Sequence, residues 1–134
     1  MTEYRHAVHA AGAPAAIGPY SHAVRAGSLL FCSGQIPLDP ASGEIVGETP
    51  AEQAHRCLSN LQAVCEAAGA RLGDAVRLTV YMTDLGAFAE VNETYGSFFA
   101  DGEAAPARVA IGVAALPRGA QVEIDAIVAL PAGG

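Results

Sequence analysis

Two side chains of opposite charge, Arg108 and Glu123, stand in short segments with the pattern of β-strands. In residues 108–113 and 121–129, apolar residues occupy every second position. Side chains of a strand alternate between the two faces of a sheet, so these apolar positions form one face of each segment. If helices cover that apolar face, Arg108 and Glu123 both project from the uncovered face. We therefore expect a cation and a carboxylate to share one open surface.

An arginine, a carboxylate and free space together would form a pocket for a small anion. The planar guanidinium binds a carboxylate through two parallel hydrogen bonds, which a lysine cannot do. Ala110 and Gly112 alternate with Arg108 and are small, so they would leave room beside it. The alternative is an ordinary surface Arg–Glu pair, which contributes little to stability. The strand pattern alone does not decide between the two.

Four other residues are weaker candidates for a ligand site. Tyr20 follows Gly18 and Pro19 and would be a pocket wall or a core residue. Ser33 and Gly34 end a predicted strand, where backbone N–H groups can meet a ligand, although a plain turn explains them equally well. Asn92 lies four residues after Phe88, close to an apolar helical stripe, and a structural asparagine is the alternative.

The composition of the 134 residues restricts the classes of function. The net charge is −7 without any Lys/Arg cluster, so we expect no nucleic-acid partner. The chain has no lysine, which excludes a Schiff-base lysine. Its four histidines lack metal-ligand spacing, and its three cysteines, odd in number, are expected to be reduced core residues. We therefore expect no zinc site and no covalent pyridoxal-phosphate chemistry.

The length suits one domain over residues 1–134, with 132–134 as a frayed tail. No apolar run is long enough to span a membrane, and the first residues lack the apolar stretch of a secretory signal. The expected location is therefore the cytoplasm. A mean hydropathy of +0.29 is high for so small a domain, which suggests apolar surface buried between subunits.

Two helices interrupt the predicted strands. The first has Thr49 as N-cap, Pro50 at its first position and Glu52 completing a capping box, and Gly69 ends it. Asp84 is predicted to cap the second helix. Its apolar stripe consists of Phe88, Val91, Tyr95, Phe98 and Phe99.

The predicted strands are residues 28–33, 76–82, 108–113 and 121–129. In the second of these strands, Val76, Leu78, Val80 and Met82 are expected on one face. Strand pairs interleaved with two helices predict an α+β sheet with both helices on one face.

Four motifs, in order from about residue 13 to residue 128, resemble those of the reactive-intermediate deaminase family (Rid, or YjgF-type). They are Ala13-Pro14-Ala15-Ala16-Ile17-Gly18-Pro19-Tyr20-Ser21; Ser33-Gly34-Gln35-Ile36-Pro37-Leu38-Asp39-Pro40 with Gly43-Glu44; Asp84-Leu85 with Phe88, Asn92, Tyr95 and Phe98-Phe99; and Pro106-Ala107-Arg108 with Leu116-Pro117 and Val122-Glu123-Ile124. The order and spacing of the motifs cover nearly the whole chain.

This resemblance implies a chorismate-mutase-like α+β fold, with a mixed sheet, assembled as a homotrimer with three ligand sites in the clefts between subunits. It also implies hydrolysis of 2-aminoacrylate-type enamines and imines to 2-oxo acids and ammonia, without metal or cofactor. The substrate would be a small molecule carrying a carboxylate.

Carried over residue by residue, the resemblance assigns Arg108 to the substrate carboxylate and Glu123 to the attacking water. Tyr20, Ser33, Gly34 and Asn92 would line the cleft and bind the ligand.

Two positions depart from the pattern of the family. Ala110 stands where many members have cysteine, and His22 stands where glutamine is common. Two alternatives to general imine hydrolysis stay open: a pathway-specific hydrolase or deaminase on the same scaffold, and a non-catalytic trimer that binds 2-oxo acids.

Overall fold

The structure, a computed structural model, describes residues 4–99 and 104–131, so the predicted frayed tail lies outside the described residues. Six strands and two α-helices follow one another along the chain. They are β1 (Arg5–Val8), β2 (Ala23–Ala26), β3 (Leu29–Gln35), α1 (Pro50–Ala67), β4 (Ala75–Met82), α2 (Phe88–Ser97), β5 (Ala107–Gly112) and β6 (Val122–Ala129). Both helices and the last four strands were predicted from the sequence, whereas β1 and β2 were not.

The strands form one six-stranded sheet in the order β1-β2-β3-β6-β4-β5. Neighbouring strands are antiparallel except β4 and β5, which are parallel. The sheet is therefore mixed, and the predicted α+β architecture is confirmed. Within the described residues β5 is an edge strand, and this position matters for the residues it carries.

Helix α1 begins at the predicted capping box. The Thr49 hydroxyl accepts a hydrogen bond from the Glu52 N–H at 3.1 Å, and the Glu52 carboxylate accepts one from the Thr49 N–H at 3.1 Å. The helix ends before Gly69, whose φ of +81° is the left-handed conformation that favours glycine. Both ends of α1 thus follow from local sequence.

Helix α2 begins one turn later than its predicted cap. The Asp84 carboxylate accepts a hydrogen bond from the Gly86 N–H at 2.8 Å, which starts a 3₁₀ turn over Leu85–Ala87. This turn leads directly into α2, where Val91 and Tyr95 of the predicted stripe are buried.

Both helices lie on one face of the sheet, as predicted. The buried core joins Leu58 and Leu61 of α1 to Leu78 of β4 and Ile124 of β6. On the opposite face, which we call the open face, the strands present Thr79, Tyr81, Glu123 and Asp125, which pair across β4 and β6. This face also carries the exposed side chains Phe31, Val109 and Ile111.

The prediction for Val76 was wrong. We expected it on the same face as Leu78, but its side chain is 48% exposed. The pairing of β4 with β6 shifts register between Ala75 and Arg77, so the strict alternation begins only after this irregularity.

Candidate functional site

Glu123 lies in a pocket on the open face, which we call the Glu123 pocket. It has a volume of about 310 Å³. Its lining residues are Ile17, Tyr20, Ser33, Gly34, Ile36, Pro117 and Glu123. Four of the six residues singled out from the sequence therefore come together here, and they come from three separate parts of the chain.

Gly34 lies directly against the Glu123 carboxylate, and any side chain at this position would force that carboxylate to move. A Cβ on Gly34 would collide with a carboxylate oxygen and lie 3.0 Å from the Cδ of Glu123. A register shift in the pairing of β3 with β6, between Cys32 and Gln35, occurs at this point. The missing side chain and the irregular strand together let the carboxylate lie over the backbone of β3.

Ser33 fixes the loop that carries Tyr20. The Ser33 hydroxyl donates a hydrogen bond to the Ser21 carbonyl at 2.6 Å, and its N–H donates to the His22 carbonyl at 2.9 Å. Of the two alternatives for this position, the Ser33 N–H thus follows the structural one, because it is engaged within the chain. Tyr20 remains 43% exposed at the pocket wall, and its hydroxyl oxygen accepts from the Ile17 N–H at 3.4 Å.

The Glu123 carboxyl is partly buried beside a second acid. Burial raises the pKa of Glu123 above its usual range, and the like charge of Asp125 raises it further. Asp125 in turn accepts a hydrogen bond from the Tyr81 hydroxyl at 2.9 Å. A carboxylate with a raised pKa is a stronger base, which suits a group that takes a proton from water.

Arg108 lies on the other side of the sheet, so its predicted placement beside Glu123 was wrong. In the parallel pairing, Arg108 lies opposite Leu78, a core residue beneath the helices. The aliphatic residues of β5, Val109 and Ile111, face the open side instead. Because β5 is an edge strand with both faces partly accessible, its apolar positions did not mark the helix-covered face.

The guanidinium of Arg108 rests on helix α2. It donates a hydrogen bond to the Asn92 side-chain oxygen at 2.6 Å. Its central carbon lies 4.9 Å from the ring centre of Tyr95 and 5.2 Å from that of Phe88, both within cation–π range. Within the described residues no other hydrogen bond or ion pair of Arg108 is formed. The fork is therefore oriented, exposed and able to bind an anion.

The space expected beside Arg108 is largely filled. Ala110 packs against the core, and a Cβ on Gly112 would lie 3.2 Å from the side chain of Leu85. Gly112 thus accommodates the turn before α2, and Ala110 belongs to the edge of the core.

His22, the other departure from the family pattern, lies outside the Glu123 pocket. It is buried, and its Nδ1 accepts from the Ala10 N–H at 2.8 Å. The Nε2 lies 2.7 Å from the Pro14 carbonyl, which makes Nε2 the protonated nitrogen of a neutral ring. The His22 side chain therefore holds the N-terminal loop in place and is not part of the lining of the Glu123 pocket.

Two buried polar residues of α1 that sequence reasoning missed also support the pocket. The Asn60 amide donates to the carbonyls of Ile36 at 3.4 Å and Leu38 at 3.0 Å. Gln53 accepts from the Gln121 N–H at 2.8 Å, next to the start of β6. The signal in the sequence that could have identified Asn60 and Gln53 is their position: both are polar residues on the core-facing side of a well-capped helix.

The three cysteines are free and buried, as predicted. Among the described residues, no group of three or more His, Cys, Asp or Glu side chains could hold a metal ion. No helix in the described part of the chain is long and apolar enough to cross a membrane.

These features define an α+β protein with two half-sites on opposite faces of one mixed sheet. The Arg108 half-site, formed by Arg108 and Asn92 over Phe88 and Tyr95, is suited to an anion. The Glu123 pocket offers a carboxylate with a raised pKa and a partly apolar wall.

Comparison with known proteins identifies the family. The family model described as Endoribonuclease L-PSP matches residues 10–130, and the chain belongs to this family, also known as YjgF/Rid. The RutC family protein y4sK of Sinorhizobium fredii is 52% identical over 118 residues, which cover 88% of this chain and 92% of the relative. A 2-iminobutanoate/2-iminopropanoate deaminase of Salmonella typhimurium is 48% identical over 116 residues, covering 86% and 90%.

Solved structures agree with this assignment. The crystal structure of Escherichia coli TdcF with bound serine has a TM-score of 0.89 and 41% sequence identity. The match covers 94% of this chain and 99% of that chain. The fold of the family therefore extends over nearly all of the present sequence.

Proposed function

We propose that this protein hydrolyses small enamines and imines of the 2-aminoacrylate type to 2-oxo acids and ammonia. The observation that carries the proposal is the pair of half-sites: an oriented arginine fork for the substrate carboxylate, and a carboxylate with a raised pKa in a pocket. The naming of relatives at 47–48% identity as 2-iminobutanoate/2-iminopropanoate deaminases supports it.

The two half-sites require a second copy of the chain to meet. Arg108 and Glu123 lie on opposite faces of the sheet, so one subunit cannot direct both at the same small substrate. The open face also exposes Phe31, Val109 and Ile111, which a neighbouring subunit would cover. We therefore propose a homotrimer of the chorismate-mutase-like kind, in which each cleft takes Arg108 from one subunit and Glu123 from the next.

In this cleft Arg108 holds the substrate carboxylate, and Asn92, Phe88 and Tyr95 keep its fork in place. Glu123 accepts a proton from a water molecule as the water oxygen attacks the imine carbon. The proton then passes to the substrate nitrogen. In the resulting carbinolamine, Glu123 takes the hydroxyl proton and passes it to the nitrogen as the carbon–nitrogen bond breaks, which releases ammonia and leaves the 2-oxo acid. The imine is itself the electrophile, so the step needs no redox partner.

The remaining residues of the Glu123 pocket would bind the substrate and give the pocket its shape. Tyr20 forms a wall, Ser33 fixes the loop carrying Tyr20, and Gly34 leaves the room in which Glu123 lies. Ile17 and Ile36 make one wall apolar, which fits an uncharged substrate side chain. The three unpaired cysteines fit a reducing compartment such as the cytoplasm.

The direct test generates an imine in situ and follows its loss. An amino-acid oxidase converts alanine to 2-iminopropanoate, and the imine absorbance is recorded with and without the protein, after subtraction of spontaneous hydrolysis. We expect acceleration by the parent and a loss of roughly 10²–10⁴-fold in the Glu123→Gln variant, the usual contribution of general acid–base catalysis. Affinity for pyruvate should change little in this variant, because its amide keeps the shape of the carboxylate.

Two outcomes would favour other functions on the same scaffold. Binding of pyruvate without imine hydrolysis would indicate a non-catalytic 2-oxo acid-binding trimer. Activity confined to one imine of unusual side chain would indicate a pathway-specific hydrolase. The relatives of this chain include a RutC family protein, which is not named as a general imine deaminase. The net charge of −7 does not favour RNA as a substrate, despite the description of the family.

A further inference from the structure

Two residues beside the Glu123 pocket, Tyr81 and Asp125, do not line the pocket and were given no step in the proposed reaction. Asp125 follows Glu123 by two positions in β6 and therefore projects from the same open face. At a rise of about 3.4 Å per residue, the two carboxyl groups are anchored roughly 7 Å apart. Tyr81 lies directly across from Glu123 in the antiparallel pairing of β4 with β6.

A hydrogen bond fixes the position of Asp125. The Tyr81 hydroxyl donates to the Asp125 carboxylate at 2.9 Å, along the diagonal between the two strands. Burial raises the pKa of Tyr81, and the hydrogen bond to Asp125 raises it further, so the hydroxyl stays protonated as a donor. The negative charge is thus held on the open face near Glu123 instead of turning out to solvent.

We propose that Asp125, fixed by Tyr81, is a positioning residue that makes the Glu123 carboxylate a stronger base through like-charge repulsion. The inference rests on the proposed function, because it assigns a purpose to the charge next to the proton acceptor. A buried base that takes a proton from water near neutral pH works better when its pKa is closer to that pH.

The other charged and titratable groups around Glu123 do not replace this effect. On β4 the guanidinium-bearing Arg77 lies farther along the open face, opposite Ile127. Tyr20 faces the pocket from the N-terminal loop. Cys57 lies beneath β6 on α1, and its thiol donates a hydrogen bond to the Val122 carbonyl. In the proposed trimer, Arg108 of a neighbouring subunit also faces Glu123, but the charge of Arg108 is paired with the substrate carboxylate.

The test compares Glu123 in the parent, Asp125→Asn, Tyr81→Phe and the double variant. The Glu123 carboxyl is titrated by ¹³C NMR, and kcat for imine hydrolysis is recorded against pH. Asp125→Asn keeps an acceptor for Tyr81 but removes the charge, so the Glu123 midpoint should fall. At pH values below the midpoint of the parent, kcat of Asp125→Asn divided by its own plateau value should be roughly two- to tenfold higher than the same ratio for the parent.

Tyr81→Phe should shift the midpoint in the same direction and by less, because the freed carboxylate moves away from Glu123. In the Asp125→Asn background, Tyr81→Phe should add nothing, since no charge remains to be positioned. A shift of equal size in both backgrounds would show that Tyr81 acts by itself and would overturn its assigned role.

Glu66→Gln, which removes one exposed carboxylate from α1 on the other side of the sheet, is the matched control. A midpoint in Asp125→Asn equal to that of Glu66→Gln would overturn the proposal. The NMR titration does not depend on turnover. A parent without imine hydrolysis would therefore refute the proposed function and still report whether Asp125 acts on Glu123.

Discussion

At the scale of single residues, binding of a carboxylate depends on how Arg108 is held. Its guanidinium lies over the rings of Tyr95 and Phe88 and donates to Asn92, so three contacts from α2 hold the guanidinium in place. A bidentate grip on a carboxylate needs this defined plane. The geometry therefore matters as much as the charge.

The variant Arg108→Lys tests this point. A lysine keeps the positive charge but cannot form two parallel hydrogen bonds or stack in the same way. We expect kcat/KM for imine hydrolysis to fall by roughly 10- to 100-fold, corresponding to about 1.5–3 kcal/mol for charge-assisted hydrogen bonds. Arg71→Lys, at an exposed turn remote from α2, serves as control. Near-parent activity of Arg108→Lys would refute carboxylate clamping by Arg108.

The pH dependence of turnover tests Glu123. The group must be ionised to accept a proton, so activity is lost as the pH falls through its pKa. Because burial and Asp125 raise that pKa above the ordinary 4.5, the acid limb of kcat should have its midpoint above 4.5. In the proposed substrate complex Arg108 would be paired with the substrate carboxylate and would not offset the effect. A midpoint at or below 4.5 would argue against Glu123 as the base.

At this scale the sequence could identify the residues but not their arrangement. The types and motifs of Arg108, Glu123 and Tyr20 singled them out. The alternation in β5 predicted the wrong face for Arg108, because periodicity shows that two faces differ and not which of them the helices cover. The close approach of Glu123 to Gly34 depends on a register shift that leaves no mark in the sequence.

At the scale of elements, α1 shows how much local sequence can specify. Its capping box provides hydrogen-bond partners for backbone N–H groups at the start of the helix, and its first-turn proline has no N–H that needs one. The terminal glycine allows the chain to leave the helix. Strands β1 and β2, of four residues each, lack comparable signals. They form because β2 pairs with β3 and β1 pairs with β2, which is tertiary information.

Thr49→Ala should therefore lower the free energy of unfolding by about 1 kcal/mol, since the Glu52 N–H loses its acceptor. Thr49→Ser keeps the hydroxyl and should stay within about 0.5 kcal/mol of the parent. Chemical denaturation of the three proteins measures the difference. Equal stability of Thr49→Ala and the parent would show that packing alone maintains the helix start. The cap lies away from both half-sites, so kcat should not change.

At the scale of the whole molecule, the sheet separates what the chemistry must bring together. The helix-covered face presents the Arg108 half-site at the edge strand β5, and the open face presents the Glu123 pocket. The proposed ring of identical subunits would resolve this separation, because each contact would join one face of one copy to the other face of the next. The apolar residues of the open face would then be covered by the neighbouring subunit.

Mixing subunits of two inactive variants tests whether the site is shared between neighbouring subunits. Arg108→Ala and Glu123→Gln are each expected to be inactive when assembled alone. When the two are unfolded together and refolded in equal amounts, a shared cleft obtains Arg108 from one variant and Glu123 from the other at about a quarter of the interfaces. We predict recovery of roughly a quarter of the parental rate, in particles with the mass of a trimer. Mixed trimers that stay as inactive as the separate variants would contradict the shared site.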